Sequence, residues 1–250
     1  MSPAVRPLPP PALAALEDEV SARGFALRQR AEIEALLGPA GDPRALDAFA
    51  ASWERLETDT FMADGGRYRR RRIANFTARP GQPHVRGKHR PHYQAVVHNA
   101  LNGGVDRWFA PVEDAVADSA PLQALLALGR GVADRLRGPQ DWFVEMHQFR
   151  IEAAAGAPGY PTPEGVHHDG TDVVIIAMIA RTNLVGGETV IQDDEGNKLA
   201  QFTLLDRLDL AIVDDVRVMH GVTPVGPADA ALPSCRDVLV LTWKQGLPPA

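Results

Sequence analysis

The chain has 250 residues, 45% hydrophobic and 23% charged, a balance that excludes global disorder, collagen and coiled coil. Its 26 basic and 32 acidic residues give a formal charge of −6, which argues against a general nucleic-acid or anionic-membrane binder. The single cysteine, Cys235, excludes an intrachain disulfide and a cysteine-rich zinc site; with no apolar run near ~18 residues and no signal-like start, a cytoplasmic protein with no membrane span is expected.

Prolines 3, 7, 9, 10 and 11 predict a short extended arm. Helices follow over 12–23, with Leu13, Leu16 and Val20 on one stripe, and over 31–37. A third, over 43–57, carries Leu46, Phe49, Trp53 and Leu56 at three- and four-residue steps behind an Asp42 cap and Pro43. Residues 68–76 predict a strand, 80–91 an irregular stretch and 99–111 a shaped loop around Gly103-Gly104. Helical spacing returns over 112–136, interrupted near Ser119 and Pro121. From Trp142 the pattern turns to strand, with Phe143, Glu145, His147 and Phe149 facing one way. Further strands are predicted over 173–180, 188–192, 208–213 and 237–243, spaced as in an antiparallel sandwich or open barrel. The expected organisation is one domain over 1–250, mainly β with supporting helices, in which residues 1–65 form a helical N-terminal portion.

The charge is unevenly spread. Residues 67–93 hold nine basic side chains and no acidic one, leaving 17 basic against 32 acidic residues elsewhere.

The string Pro161-Thr162-Pro163-Glu164-Gly165-Val166-His167-His168-Asp169-Gly170 is polar and precedes an apolar strand. His167 and Asp169, two apart on an extended segment, can point the same way, and imidazole plus carboxylate suit a non-haem Fe(II) when a second histidine joins them. His220 is the natural third ligand. Such a triad leaves positions for a bidentate cosubstrate and dioxygen, and Arg236, opening the last strand, fits as a clamp for the far carboxylate. On spacing alone, a turn-forming aspartate beside a loop histidine, or a structural ion pair, is the more ordinary explanation of the triplet. Arg150 and Arg181 are candidates for a substrate carboxylate, with structural pairing as the alternative; His147 and Gln94 are candidates for the pocket wall and its mouth. Asp215 is a candidate for orienting His220. Trp108, Trp142 and Trp243 are assigned to packing.

From about Tyr68 to Trp243 the chain resembles the bacterial 2-oxoglutarate/Fe(II) dioxygenase family that includes free-amino-acid hydroxylases such as isoleucine dioxygenase. The resemblance rests on Asn99-Ala100-Leu101-Asn102-Gly103-Gly104, His147-Gln148-Phe149-Arg150, the 161–170 string, Arg181-Thr182-Asn183, Gly186-Gly187-Glu188-Thr189, Asp214-Asp215, His220 with Thr223-Pro224, and Arg236-Asp237. It implies a double-stranded β-helix (jelly-roll or cupin-like) core over 66–250, iron ligands at His167, Asp169 and His220, and a 2-oxoglutarate arginine at Arg236. The implied reaction is Fe(II)- and 2-oxoglutarate-dependent hydroxylation of a free L-amino acid with O2, coupled to decarboxylation to succinate and CO2. Alternatives are the same oxidation on a carrier-bound or peptidyl aminoacyl group, a cupin-like metal isomerase, and non-catalytic anion or nucleic-acid binding through 67–93. A homodimer is a further expectation.

Overall fold

A computed structural model describes residues 10–99 and 101–248. The predicted proline arm lies at 1–9, outside the described residues, apart from Pro10 and Pro11, which open a helix. The helices are α1 (Pro10–Arg23), α2 (Arg30–Leu37), α3 (Pro43–Ala50), α4 (Asp114–Ala117) and α5 (Ala120–Arg137). In the N-terminal half lie β1 (Phe25–Arg28), β2 (Glu57–Thr58), β3 (Arg69–Ala78) and β4 (Val85–Arg86). The rest follow α5: β5 (Trp142–Ala153), β6 (Val173–Thr182), β7 (Leu184–Gly186), β8 (Thr189–Gln192), β9 (Lys198–Phe202), β10 (Leu210–Asp214), β11 (Met219–Val222), β12 (Val225–Pro227) and β13 (Ser234–Gln245).

An eight-stranded antiparallel sheet runs β1-β10-β6-β13-β5-β3-β2, with β4 on β3. Strands β11-β8-β9 and β12-β7 form two smaller ladders. Val174, Ile176, Met178, Val213 and Val238 of the large sheet cluster with Ile191, Ala200 and Phe202 of β8 and β9, so the sheets enclose a core between them. This is the expected jelly-roll architecture. The outer face of the large sheet packs Val144, Met146, Ile175, Ala177, Leu239 and Leu241 against the apolar stripes of α1, α2, α3 and α5. Alternation along β5 and β13 thus divides labour: one face serves the helical core, the other the barrel interior.

Local chemistry explains several boundaries. Asp42 accepts hydrogen bonds from the Arg44 and Ala45 backbone N–H groups at 3.0 and 3.2 Å, capping α3 as expected. The predicted 43–57 helix is shorter than its periodicity suggests: it tightens into a 3-10 turn over Ala51–Arg55, where the Ser52 hydroxyl bonds back to the Phe49 carbonyl. Gly129 lets α5 approach the sheet, because a Cβ there would lie 2.1 Å from the Trp243 ring. Gly129→Val should therefore cost about 3 kcal/mol of stability, read from the urea midpoint. Trp142 and Trp243 are buried as predicted; Trp108 is exposed and meets the His89 ring edge-on.

Part of the basic stretch is paired with acids elsewhere in the chain. Arg70 pairs with Glu152, Arg72 with Glu57 and Arg86 with Asp114, while Arg69 and Arg71 turn inward around buried Asp59. Among the described residues, no helix is long and apolar enough to cross a membrane.

Candidate active site

Two backbone hydrogen bonds place the candidate ligands. His167 N–H donates to the His220 carbonyl and His220 N–H to the His167 carbonyl, both at 3.0 Å, setting the two rings side by side with centroids 4.9 Å apart. Asp169, two residues on, brings its Oδ1 to 3.3 Å from His167 Nε2 and its Oδ2 to 3.7 Å from His220 Nε2. The loop carrying Asp169 is held by Asp215, whose carboxylate accepts from the backbone N–H groups of Asp169, Gly170 and Thr171 at 2.8–2.9 Å. Gly170 is at φ +77°, and a side chain there would strike the His98 ring. Asp215 Oδ1 lies 4.0 Å from His220 Nδ1, too far for a hydrogen bond. Its work thus falls on the Asp169 loop rather than on the His220 ring.

The donor set asks for a cation. His167 Nδ1 is 3.0 Å from the Gly165 carbonyl, which can only accept, so Nδ1 carries a proton. In the neutral ring, the Nε2 lone pair then faces an Asp169 oxygen at 3.3 Å, and two acceptors at that distance need a proton or a metal between them. Without a metal, the electrostatics put a proton there. Burial favours neutral His167, but the hydrogen bond and charge of Asp169 push it up to about 9. Burial pushes His220 down to about 4, against the pull of Asp169. Asp169 is held below its ordinary range despite burial, by the His167 hydrogen bond and both imidazoles. Burial and the Asp169 charge push Asp215 up to about 7.

These groups open into a cavity of about 760 Å3, within the usual range for small-ligand sites. Arg236 lines it, is only 2% exposed, and keeps Nε and Nη2 without hydrogen-bond partners. Burial, with Arg181 alongside, pulls its guanidinium down to about 10. A buried cation with free donors is completed by an anion.

A second cluster, His92, Glu145 and His147, has its ligand-capable atoms equally close together. Arg71 Nη2 lies 2.8 Å from His147 Nδ1 and can only donate, so neutral His147 carries its proton on Nε2. Burial and the neighbouring Arg71 hold that ring neutral. Metal ligation through Nε2 would move the proton to Nδ1, against Arg71. This cluster is better suited to hydrogen-bonding a ligand, and His92 Nδ1 already meets Glu145 Oε2 at 2.9 Å.

The fold brings His167, Asp169, His220, Arg236, His147 and Gln94 to one cavity. Gln94 Nε2 donates to the Asp169 carbonyl and carboxylate at 3.2 and 3.4 Å, and its Oε1 accepts from Asn99 Nδ2 at 3.1 Å. Arg150 and Arg181 do not reach the cavity. Arg150 is clamped by Asp237 and Glu54 at 2.6–3.0 Å, and Arg181 Nη2 donates to the Leu184 and Gly186 carbonyls. His168 turns away, with Nε2 2.9 Å from Asp194 Oδ1. The sequence pattern already puts Glu145 on the His147 face and Arg71 in the basic stretch, without naming either as a site residue; it does not single out Asp59 and Arg107, and the inward alternation of Arg69 with Arg71 is the available signal.

Residues 50–242, well over half the chain, match the sequence profile of the family described as 2OG-Fe dioxygenase. The chain belongs to this family. Over 163 residues the dioxygenase is 29% identical to a 3(1)-hydroxy-L-isoleucine 4-dioxygenase of Pantoea ananatis (strain AJ13355), a match spanning 64% of the chain and 66% of that relative. The crystal structure of a bsmA homolog from Methylobium petroleophilum PM1 is 37% identical, with 95% and 96% of the two chains covered and a TM-score of 0.84. IDO from Bacillus thuringiensis, at 20% identity, shares the fold with a TM-score of 0.79 over 94% of this chain and all of the other. The dioxygenase uses Fe(II) and 2-oxoglutarate, and its residues fit both: facing acceptors for a cation, and an unpartnered guanidinium for a carboxylate.

Because Asp215 carries three bonds to the Asp169 loop, Asp215→Asn should weaken metal binding by about 10- to 100-fold. An amide has one accepting oxygen and cannot satisfy both ends of the loop. Anaerobic Mn(II) titration reads the effect; wild-type affinity would mean the loop is held by its other contacts.

Proposed function

We propose that the dioxygenase hydroxylates a free L-amino acid, with decarboxylation of 2-oxoglutarate to succinate and CO2. His167 and His220 through Nε2, and Asp169 through one carboxylate oxygen, would hold Fe(II); Arg236 would hold the distal carboxylate of 2-oxoglutarate. The observation that carries this reading is the pairing, in one cavity, of cation-demanding acceptors with a buried arginine lacking an anion. The printed activity of the Pantoea relative supports an amino-acid substrate.

The iron supplies the oxygen chemistry that side chains cannot. The protein's own part is orientation and exclusion of water. Gly165 fixes the His167 tautomer through its carbonyl, leaving Nε2 free. Asp215 and Gln94 hold Asp169 from two sides. Phe143, Ile176, Val238 and Val240 give the cavity an apolar wall that suits an aliphatic side chain. Arg236 spends a preset planar donor face on one carboxylate, fixing the cosubstrate end to end.

Purified protein incubated with Fe(II), 2-oxoglutarate and O2 should form succinate and add one oxygen atom to a member of an L-amino-acid panel, followed by mass spectrometry and NMR. No turnover with any free amino acid, but turnover of an aminoacyl carrier conjugate, would overturn the free-substrate reading.

A further inference from the structure

The cavity contains a second group of arginines whose guanidinium donors are incompletely paired, with Glu145 and Glu164 acting on them only through space. Arg69 and Arg71 on β3 and Arg107 in the loop between β4 and α4 all line it and are at most 6% exposed. Asp59 is the one carboxylate paired with this group among the described residues, at 2.7 Å from Arg69 and 3.7 Å from Arg71. Arg107 has no ion-pair partner there. It is 2% exposed, its Nε makes no hydrogen bond, and its Nη2 makes only a long one, 3.5 Å, to Gln94 Oε1. Arg71 Nε is likewise unpartnered.

We infer that Arg107 and Arg71 form the seat for the substrate's carboxylate, separate from the 2-oxoglutarate seat at Arg236. The inference rests on the amino-acid hydroxylase reading and supplies what Arg150 and Arg181 cannot. Burying a guanidinium without a partner costs several kcal/mol, so two incompletely matched ones on one wall mark where an anion completes the site. The two seats are distinct in the sheet. Arg236 registers with Ile151 of β5, and Arg71 with Phe149, the next rung on that face, so Arg71 lies two strands away from β13. That is roughly 10 Å across the strands.

Arg71 is held ready. Its guanidinium carbon lies 3.7 Å from the Phe109 ring centroid and 4.4 Å from that of Phe149, and Nη2 is fixed on His147. Little rotamer freedom remains to be lost on binding. Gln94 touches both Arg107 and Asp169, so the seat lies one side chain from a candidate iron ligand. A carboxylate placed there would direct the rest of a small molecule along the apolar wall.

The test is isothermal titration of anaerobic protein loaded with Mn(II) and 2-oxoglutarate. The probes are the twenty L-amino acids, their carboxamides, and C4–C8 aliphatic carboxylic and 2-hydroxy acids. Wild type should bind at least one acid about 10- to 100-fold more tightly than its carboxamide, the value of charge-assisted hydrogen bonds. Arg107→Gln should abolish that preference, Arg107→Lys should restore part of it, and both should keep 2-oxoglutarate affinity within about twofold. An Arg107→Gln protein that still prefers the acid, or one that loses 2-oxoglutarate instead, would overturn the inference, as would the absence of binding by every acid. If only non-amino acids bound, through Arg107, the seat would stand and the amino-acid reading would fail.

Discussion

Arg236→Met is expected to lose 2-oxoglutarate affinity by about 10^2- to 10^4-fold, the worth of two charge-assisted hydrogen bonds at about 1.5–3 kcal/mol each. The same substitution should stabilise the ligand-free protein. Burial pulls the guanidinium down to about 10, and that displacement corresponds to roughly 3 kcal/mol against the charged form. A methionine of similar length carries no such penalty, so ~1–3 kcal/mol of added stability should appear in urea unfolding without ligand. The gain in melting temperature that 2-oxoglutarate gives wild type should vanish with it. A less stable variant with unchanged 2-oxoglutarate affinity would show that Arg236 is structural.

Asp169→Ala and His167→Ala should each remove metal binding and lower turnover by at least about 10^3-fold, some 4 kcal/mol of barrier. The matched control lies between them. His168→Ala alters a side chain bonded to the Asp215 carbonyl and to Asp194, and should leave Mn(II) affinity near wild type. The readout that separates metal loss from misfolding is the Mn(II)-dependent rise in melting temperature, absent in the first two variants and present in the third. Retention of that rise in both Asp169→Ala and His167→Ala would remove the proposed triad.

Much of this site was legible because its residues are local and chemically unusual. His167 and Asp169 sit two apart in a polar string before an apolar strand, and Arg236 lies near the start of the last strand, third in β13. The helices at the N-terminus were legible from periodicity and from the Asp42–Pro43 start. What could not be read depended on distant partners. Arg150 looks free in sequence, yet Glu54 and Asp237, 96 and 87 residues away, occupy it. Arg107 lies in an aperiodic stretch, so nothing local announces that it is buried. Strand β1 is four residues long and is defined by its pairing with β10, while β9 is a largely exposed strand with no apolar alternation. His220 falls outside every strand predicted from the sequence, yet it belongs to a short one, because pairing with Ile191 of β8 and with His167 extends the backbone there.

The alternation along β5 and β13 also bears on how freely substrate choice can change. Phe143, Val240 and Thr242 point into the cavity, while their chain neighbours Val144, Leu239 and Leu241 are sealed against the helices. Exchanges at the first set therefore touch ligand without disturbing the packed layer behind, and their costs in stability should add independently of changes there. Lineages or engineers could thus rewrite substrate scope one rung at a time, with the helical layer acting as an untouched foundation.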